Sequence, residues 1–69
     1  LKAGELLKAL QKHGFQVVRQ KGSHIRLKHH DGRVTSIPYH SGQDIGKGLL
    51  RKILRDTELT LQELLDKLN

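Results

Sequence analysis

The 69-residue chain carries 13 Lys and Arg against 7 Asp and Glu, a net charge of +6, and 35% of it is hydrophobic, with one Phe, one Tyr and no Trp or Cys. A chain of this length buries only about 60% of its unfolded surface, so a single domain over residues 1–69 with one thin core is expected, and an enclosed pocket around a large cofactor is excluded. Without cysteine it can build neither a disulfide framework nor a thiolate zinc site; with no apolar run of membrane-spanning length and no signal-peptide pattern it is expected to be cytoplasmic, with no membrane partner.

Ala3, Leu6, Leu7 and Leu10 fall at helical spacing and Gly14 supplies a left-handed cap, which predicts a helix over residues 3–13 with Phe15 folded back on its last turn. Residues 15–20 are rich in β-formers and alternate imperfectly, the pattern of a first strand. After the turn Lys21-Gly22-Ser23, residues 24–29 alternate cleanly, setting Ile25 and Leu27 on one face and His24, Arg26 and Lys28 on the other. Asp31-Gly32 marks the next turn, and residues 33–37 make a third strand that Pro38 ends. A loop over residues 39–48 leads to a helix with Leu49, Leu50, Ile53 and Leu54 on its apolar side and Arg51, Lys52 and Arg55 on the other. Thr60-Leu61-Gln62-Glu63 is a capping box that opens a short last helix at Leu61, with Leu61, Leu64, Leu65 and Leu68 as its apolar face. The predicted fold is α+β in the order α-β-β-β-α-α, a three-stranded antiparallel sheet with helices on one face.

The charge is concentrated in the middle of the chain. Residues 12–55 hold ten Lys and Arg against Asp31 and Asp44, whereas residues 56–69 hold Lys67 against four acids. A basic block built into strands and a helix points to a polyanionic partner, because solubility alone is served as well by mixed signs. Within this block the turn Lys21-Gly22-Ser23 delivers His24 to the open face between Arg19 and Arg26. Cleaving RNA requires a group that exchanges protons near neutral pH and cations that hold the charge building on phosphate oxygens. His24 with Lys21, Arg19 and Arg26 supplies both, although a histidine at a strand start is more often an ordinary polar surface residue. His40 is a second imidazole that could act as acid to the first one's base, or simply cap loop carbonyls. His13, His29 and His30 are expected to face solvent. No His-x₃-His pair lies on a helix and the carboxylates are scattered, so no metal site is expected; Gly42, Gly46 and Gly48 lack the Gly-Lys-Ser/Thr continuation of a phosphate loop.

His13-Gly14-Phe15, then Val18-Arg19-Gln20-Lys21-Gly22-Ser23-His24, then Ile37-Pro38-Tyr39-His40, then Lys47-Gly48-Leu49-Leu50-Arg51-Lys52-Ile53-Leu54 follow one another along the chain. In that order and spacing the sequence resembles the HicA family over essentially its whole length. The resemblance implies a double-stranded-RNA-binding-domain-like fold, an mRNA-cleaving toxin of a type II toxin–antitoxin system, and a cognate HicB antitoxin that masks the active site. The family's catalytic histidine maps onto His24, preceded by the matching Gly22 and Ser23, and its Pro-x-His onto Pro38 and His40. The sequence departs from the family twice. Gly48-Leu49 stands where a small hydroxyl residue often opens the helix, and Thr57-Glu58-Leu59 stands where a glycine commonly separates the last two helices, so a more continuous join is expected there.

Residues and resemblance together describe a metal-independent, cofactor-free endoribonuclease with His24 as general acid or base. Arg19, Lys21, Gly22, Ser23, Arg26, Lys28 and His40 are its candidate RNA-binding residues. The acidic last helix and the short chain suit single-stranded mRNA better than a duplex, and the free toxin is expected to be a monomer. Two other readings draw on the same basic face: a non-catalytic RNA- or DNA-binding module, and a protein-binding domain that meets an acidic partner.

Overall fold

The apolar stripe of the first helix and the inward residues of the strands meet in one core. In the computed structural model, which describes residues 1–40 and 42–68, helix α1 (Ala3–Lys12) is followed by strands β1 (Phe15–Lys21), β2 (His24–His29) and β3 (Val34–Pro38), then by helices α2 (Lys47–Thr57) and α3 (Leu61–Asp66). Ser41, within the loop expected over residues 39–48, and the terminal residue 69 lie outside the described residues. The predicted α+β order and the antiparallel three-stranded sheet are both present, with β2 between β1 and β3.

Burial follows the pleat. In β2, Ile25, Leu27 and His29 are buried while His24, Arg26 and Lys28 are exposed; in β3, Thr35 and Ile37 are buried. Ile25, Leu27 and Ile37 join Leu6, Ala9 and Leu10 of α1, Phe15, Ile53 of α2 and Leu64 of α3 in the core. The helices cover one face of the sheet, and the face bearing His24, Arg26 and Lys28 stays open.

β1 contains an irregularity that decides what reaches the open face. Phe15, Gln16 and Val17 pair with His29, Lys28 and Leu27; the register then slips by one residue, so that Arg19, Gln20 and Lys21 pair with Arg26, Ile25 and His24. Strict alternation from the buried Phe15 would carry Arg19 and Lys21 under the helices. The extra residue of this β-bulge turns both onto the open face, and it explains why the strand alternates imperfectly in sequence.

Several expectations are corrected. His29 does not face solvent: it stands on the inward side of β2, in phase with Ile25 and Leu27, 8% exposed, and its ring meets Phe15 edge-on at 5.1 Å. Its imidazole fits there because Gly14, at φ +95°, has no side chain; a Cβ on Gly14 would lie 2.9 Å from His29 Nε2. His13, at the end of α1, is half-buried, and its Nε2 donates to the carbonyl of Glu63 at 2.9 Å, tying α1 to α3. Helices α2 and α3 do not run on continuously. Glu58 takes the left-handed conformation (φ 58°) usually left to glycine and ends α2, while Arg33 donates to the carbonyl of Thr57 at that same end. The capping box is present, with Glu63 N–H donating to Thr60 Oγ1 at 3.1 Å and Thr60 N–H to Glu63 Oε1 at 2.8 Å. Only Leu64 of the expected α3 face is fully buried; Leu61 and Leu65 are 43% and 37% exposed, because a two-turn helix resting on α1 presents a single line of contact.

Candidate functional site

The site is built at the mouth of the β1–β2 hairpin. Lys21 and His24 are the last cross-strand pair, joined by the two-residue loop Gly22-Ser23. Gly22, the first loop residue, has φ +58°, the feature of the type II′ turn that matches strand twist in a two-residue hairpin. The carbonyl of Ser23 accepts from the amide of Tyr39 at 2.6 Å, and His24 pairs across β2–β3 with Pro38. The turn is therefore held on both sides, and His24, though exposed, starts from a fixed backbone.

From His24 the open face runs along β2 to Arg26 and Lys28, with Lys21 and Arg19 on the neighbouring strand and Ser36 opposite Arg26 on β3. Arg19 and Arg26 are direct cross-strand partners, an arrangement of like charges that destabilises a sheet. Among the described residues, no carboxylate lies within ion-pair distance of Arg19, Lys21, Arg26 or Lys28. The ion pairs sit elsewhere: the N-terminal ammonium and Lys2 with Asp44, Arg33 and His29 with Asp31, and Lys52 with Asp56. Arg33 also lies over the Phe15 ring at 5.2 Å, so this cation belongs to the framework rather than to the open face.

His40 is exposed and follows directly on the Tyr39 amide that binds the hairpin turn. Its loop is pinned to the N-terminus of the chain. Ala3 N–H donates to Gln43 at 3.0 Å, Ile45 N–H to Leu1 at 2.8 Å, and Lys2 Nζ reaches the carbonyl of Gly42 at 3.1 Å. His24 and His40 thus come from neighbouring backbone although 16 residues apart in sequence. His13, His29 and His30 lie away from the turn. Gln16, opposite Lys28, extends the open face beyond the residues singled out in sequence, and His30, exposed in the β2–β3 turn, lies at its end against the His29 ring. Continuing the β1–β2 pairing from Arg26 to Lys28 is the signal that finds Gln16.

The carboxylates whose acidity the fold shifts are all structural. Asp31 is held below the usual carboxylate range chiefly by the amide of Arg33, Asp56 by the Lys52 ammonium and then the Thr35 hydroxyl, and Glu63 by the amide of Thr60. Among the described residues no three His, Cys, Asp or Glu come together as they would to hold a metal ion, and no helix is long and apolar enough to cross a membrane.

An exposed imidazole on a carboxylate-free basic strand surface can take or give a proton beside a bound phosphate. No curated protein matches the chain. Residues 3–59 match the family described as "HicA toxin of bacterial toxin-antitoxin", a span that holds α1, the whole sheet and α2. The chain therefore belongs to the HicA toxin family and is the toxin member of a bacterial toxin–antitoxin system.

Proposed function

We propose that the toxin is a metal-independent endoribonuclease acting on single-stranded mRNA, with His24 as the catalytic acid or base. The observation that carries this reading is the pairing of an exposed His24 with Lys21 at the head of a strand face where Arg19 opposes Arg26 without a counter-ion among the described residues. A like-charge cross-strand pair works against folding, and a phosphate backbone supplies the anion that reverses its sign.

The reaction follows from the groups at hand. The RNA's own 2′-hydroxyl attacks the adjacent phosphorus, the P–O5′ bond breaks, and the products carry a 2′,3′-cyclic phosphate and a 5′-hydroxyl. One proton leaves the 2′-hydroxyl and one reaches the 5′-oxygen. His24 handles one of these transfers, and His40, on the backbone docked against the same turn, is positioned for the other. Lys21, Arg19 and Arg26 hold the phosphate and the charge that builds on it, Lys28 continues the track, and Gly22 and Ser23 bring the strand close to the backbone of the turn. The acidic α3, with Glu63 and Asp66, favours a single strand lying across the sheet over a duplex embracing the whole domain. A HicB-type antitoxin inhibits by covering this open face.

The test is product-end analysis after incubating the purified protein with RNA in EDTA. Cyclic phosphate and 5′-hydroxyl ends are expected, with DNA bound but uncut. Ends bearing a 5′-phosphate, or activity that appears only when Mg²⁺ is restored, would overturn the mechanism; binding without any cleavage would leave a nucleic-acid-binding module.

A further inference from the structure

The open face has a second feature at the end of β2 away from His24. Gly14, Gln16, Val18, Lys28, His29 and His30 line a half-open depression of about 200 Å³, below the roughly 300–1,000 Å³ of pockets that enclose whole drug-sized ligands. Its walls are chemically distinct. Val18, 54% exposed, gives an apolar side; Gln16 offers both a donor and an acceptor; Lys28, its cross-strand partner, gives a cation at the rim. The ring of His30 lies on that of His29 with centroids 4.2 Å apart, and His29 is itself fixed by Asp31, whose Oδ1 and amide nitrogen lie 3.1 and 3.2 Å from Nδ1. A shallow, part-apolar seat with one exposed imidazole ring and one amide suits a flat heterocycle.

Proteins that bind single strands usually stack bases on Phe, Tyr or Trp. Here the one Phe is buried and the one Tyr is packed against the core, so on this face imidazole and guanidinium planes must take that part. Lys28 stands four residues beyond His24 on β2, a separation of about 13 Å, room for an extended strand to pass Arg26 before its base reaches the seat.

We infer that this depression is a nucleobase subsite, in which His30 stacks an unpaired base about two nucleotides from the cleaved phosphate, Gln16 reads its edge and Lys28 holds the intervening phosphate. The inference rests on the open face being an RNA surface, and it assigns the base selectivity of cleavage to residues outside the catalytic turn.

Binding and cleavage test it separately. Short single-stranded RNAs titrated into the His24→Ala protein should move the amide resonances of Gln16, Val18 and His30, and adding His30→Ala should weaken binding roughly 5- to 150-fold, the range for one stacked base. In the otherwise wild-type toxin, Gln16→Ala should shift the base preferred near the cut while leaving the ends of the products the same. Resonance changes confined to Lys21–His24, or affinity and preference indifferent to both substitutions, would overturn the subsite while leaving the nuclease intact. RNA that binds in the depression but is never cut by the wild-type protein would uphold the subsite and remove the nuclease.

Discussion

At His24 and Gly14 the same physical question, what the surroundings allow a residue to be, has opposite answers. His24 is exposed on the open face and fills no part of the core, so His24→Ala should leave the thermal midpoint unchanged while cleavage falls about 10²–10⁴-fold, the usual yield of general acid–base catalysis. Circular dichroism and a cleavage assay on the same sample check both halves; a folded His24→Ala protein with full activity would sink the assignment. Gly14 is fixed by two constraints at once, a positive φ and the His29 ring where its Cβ would be. Gly14→Ala should therefore cost about 1–3 kcal/mol and, by pushing on His29, disturb the β2–β3 turn as well as the end of α1. Chemical denaturation measures the loss.

Among the elements, the junction of α2 and α3 shows how local chemistry replaces a missing glycine. A non-glycine residue in the left-handed region carries strain of about 1–2 kcal/mol, and Glu58 bears it at φ 58°. Glu58→Gly relieves that strain but frees the unfolded chain by about 0.4–1 kcal/mol, for a net gain of up to roughly 1.5 kcal/mol. In a domain of this size that is a rise in melting temperature of several degrees, about 4–8 °C per kcal/mol, readable in a thermal melt; a fall would mean that the Glu58 side chain itself holds the junction. This junction was hard to read in sequence because Thr57-Glu58-Leu59 contains no breaker, and what ends α2 is partly a long-range partner, the Arg33 guanidinium on the Thr57 carbonyl. The β1 bulge was hidden for a related reason: two adjacent valines mark an extra residue only once the pairing with β2 is known. By contrast β2, the capping box at Thr60 and the turn before His24 were legible because each rests on residues adjacent in sequence. His29 was legible too, since its phase with Ile25 and Leu27 already placed it inward, but its place beside the turn suggested solvent.

Over the whole molecule, the positive charge divides into cations that hold the fold and cations without a partner. Two of the shifted carboxylates, Asp31 and Asp56, are partners of the first group, Arg33 and Lys52. Asp31, Asp56 and Glu63 bind a proton less readily folded than unfolded, so just below the ordinary carboxylate value of about 4 the unfolded chain takes up more protons. Their contribution is complete above that pH and is lost as pH falls through the lowered values; acid unfolding followed by circular dichroism should show the loss, and Asp56→Asn should flatten it. Two arginines distinguish the groups most sharply. Arg26 opposes Arg19 with no carboxylate at ion-pair distance among the described residues, so Arg26→Ala should leave stability unchanged or raise it by some tenths of a kcal/mol, while weakening RNA binding and lowering the slope of log affinity against log salt by roughly 0.7. Arg33 donates to Asp31 at 2.8 Å and to the Thr57 carbonyl and covers Phe15. Arg33→Ala should cost about 1.5–3 kcal/mol, the scale of a charged hydrogen bond, and leave the salt slope where it was. Salt-dependent binding on the two variants, paired with their denaturation curves, decides the matter. If Arg33→Ala flattened the slope and Arg26→Ala did not, the RNA track would run over the β2–β3 turn and the α2 terminus instead of across the open face of the sheet.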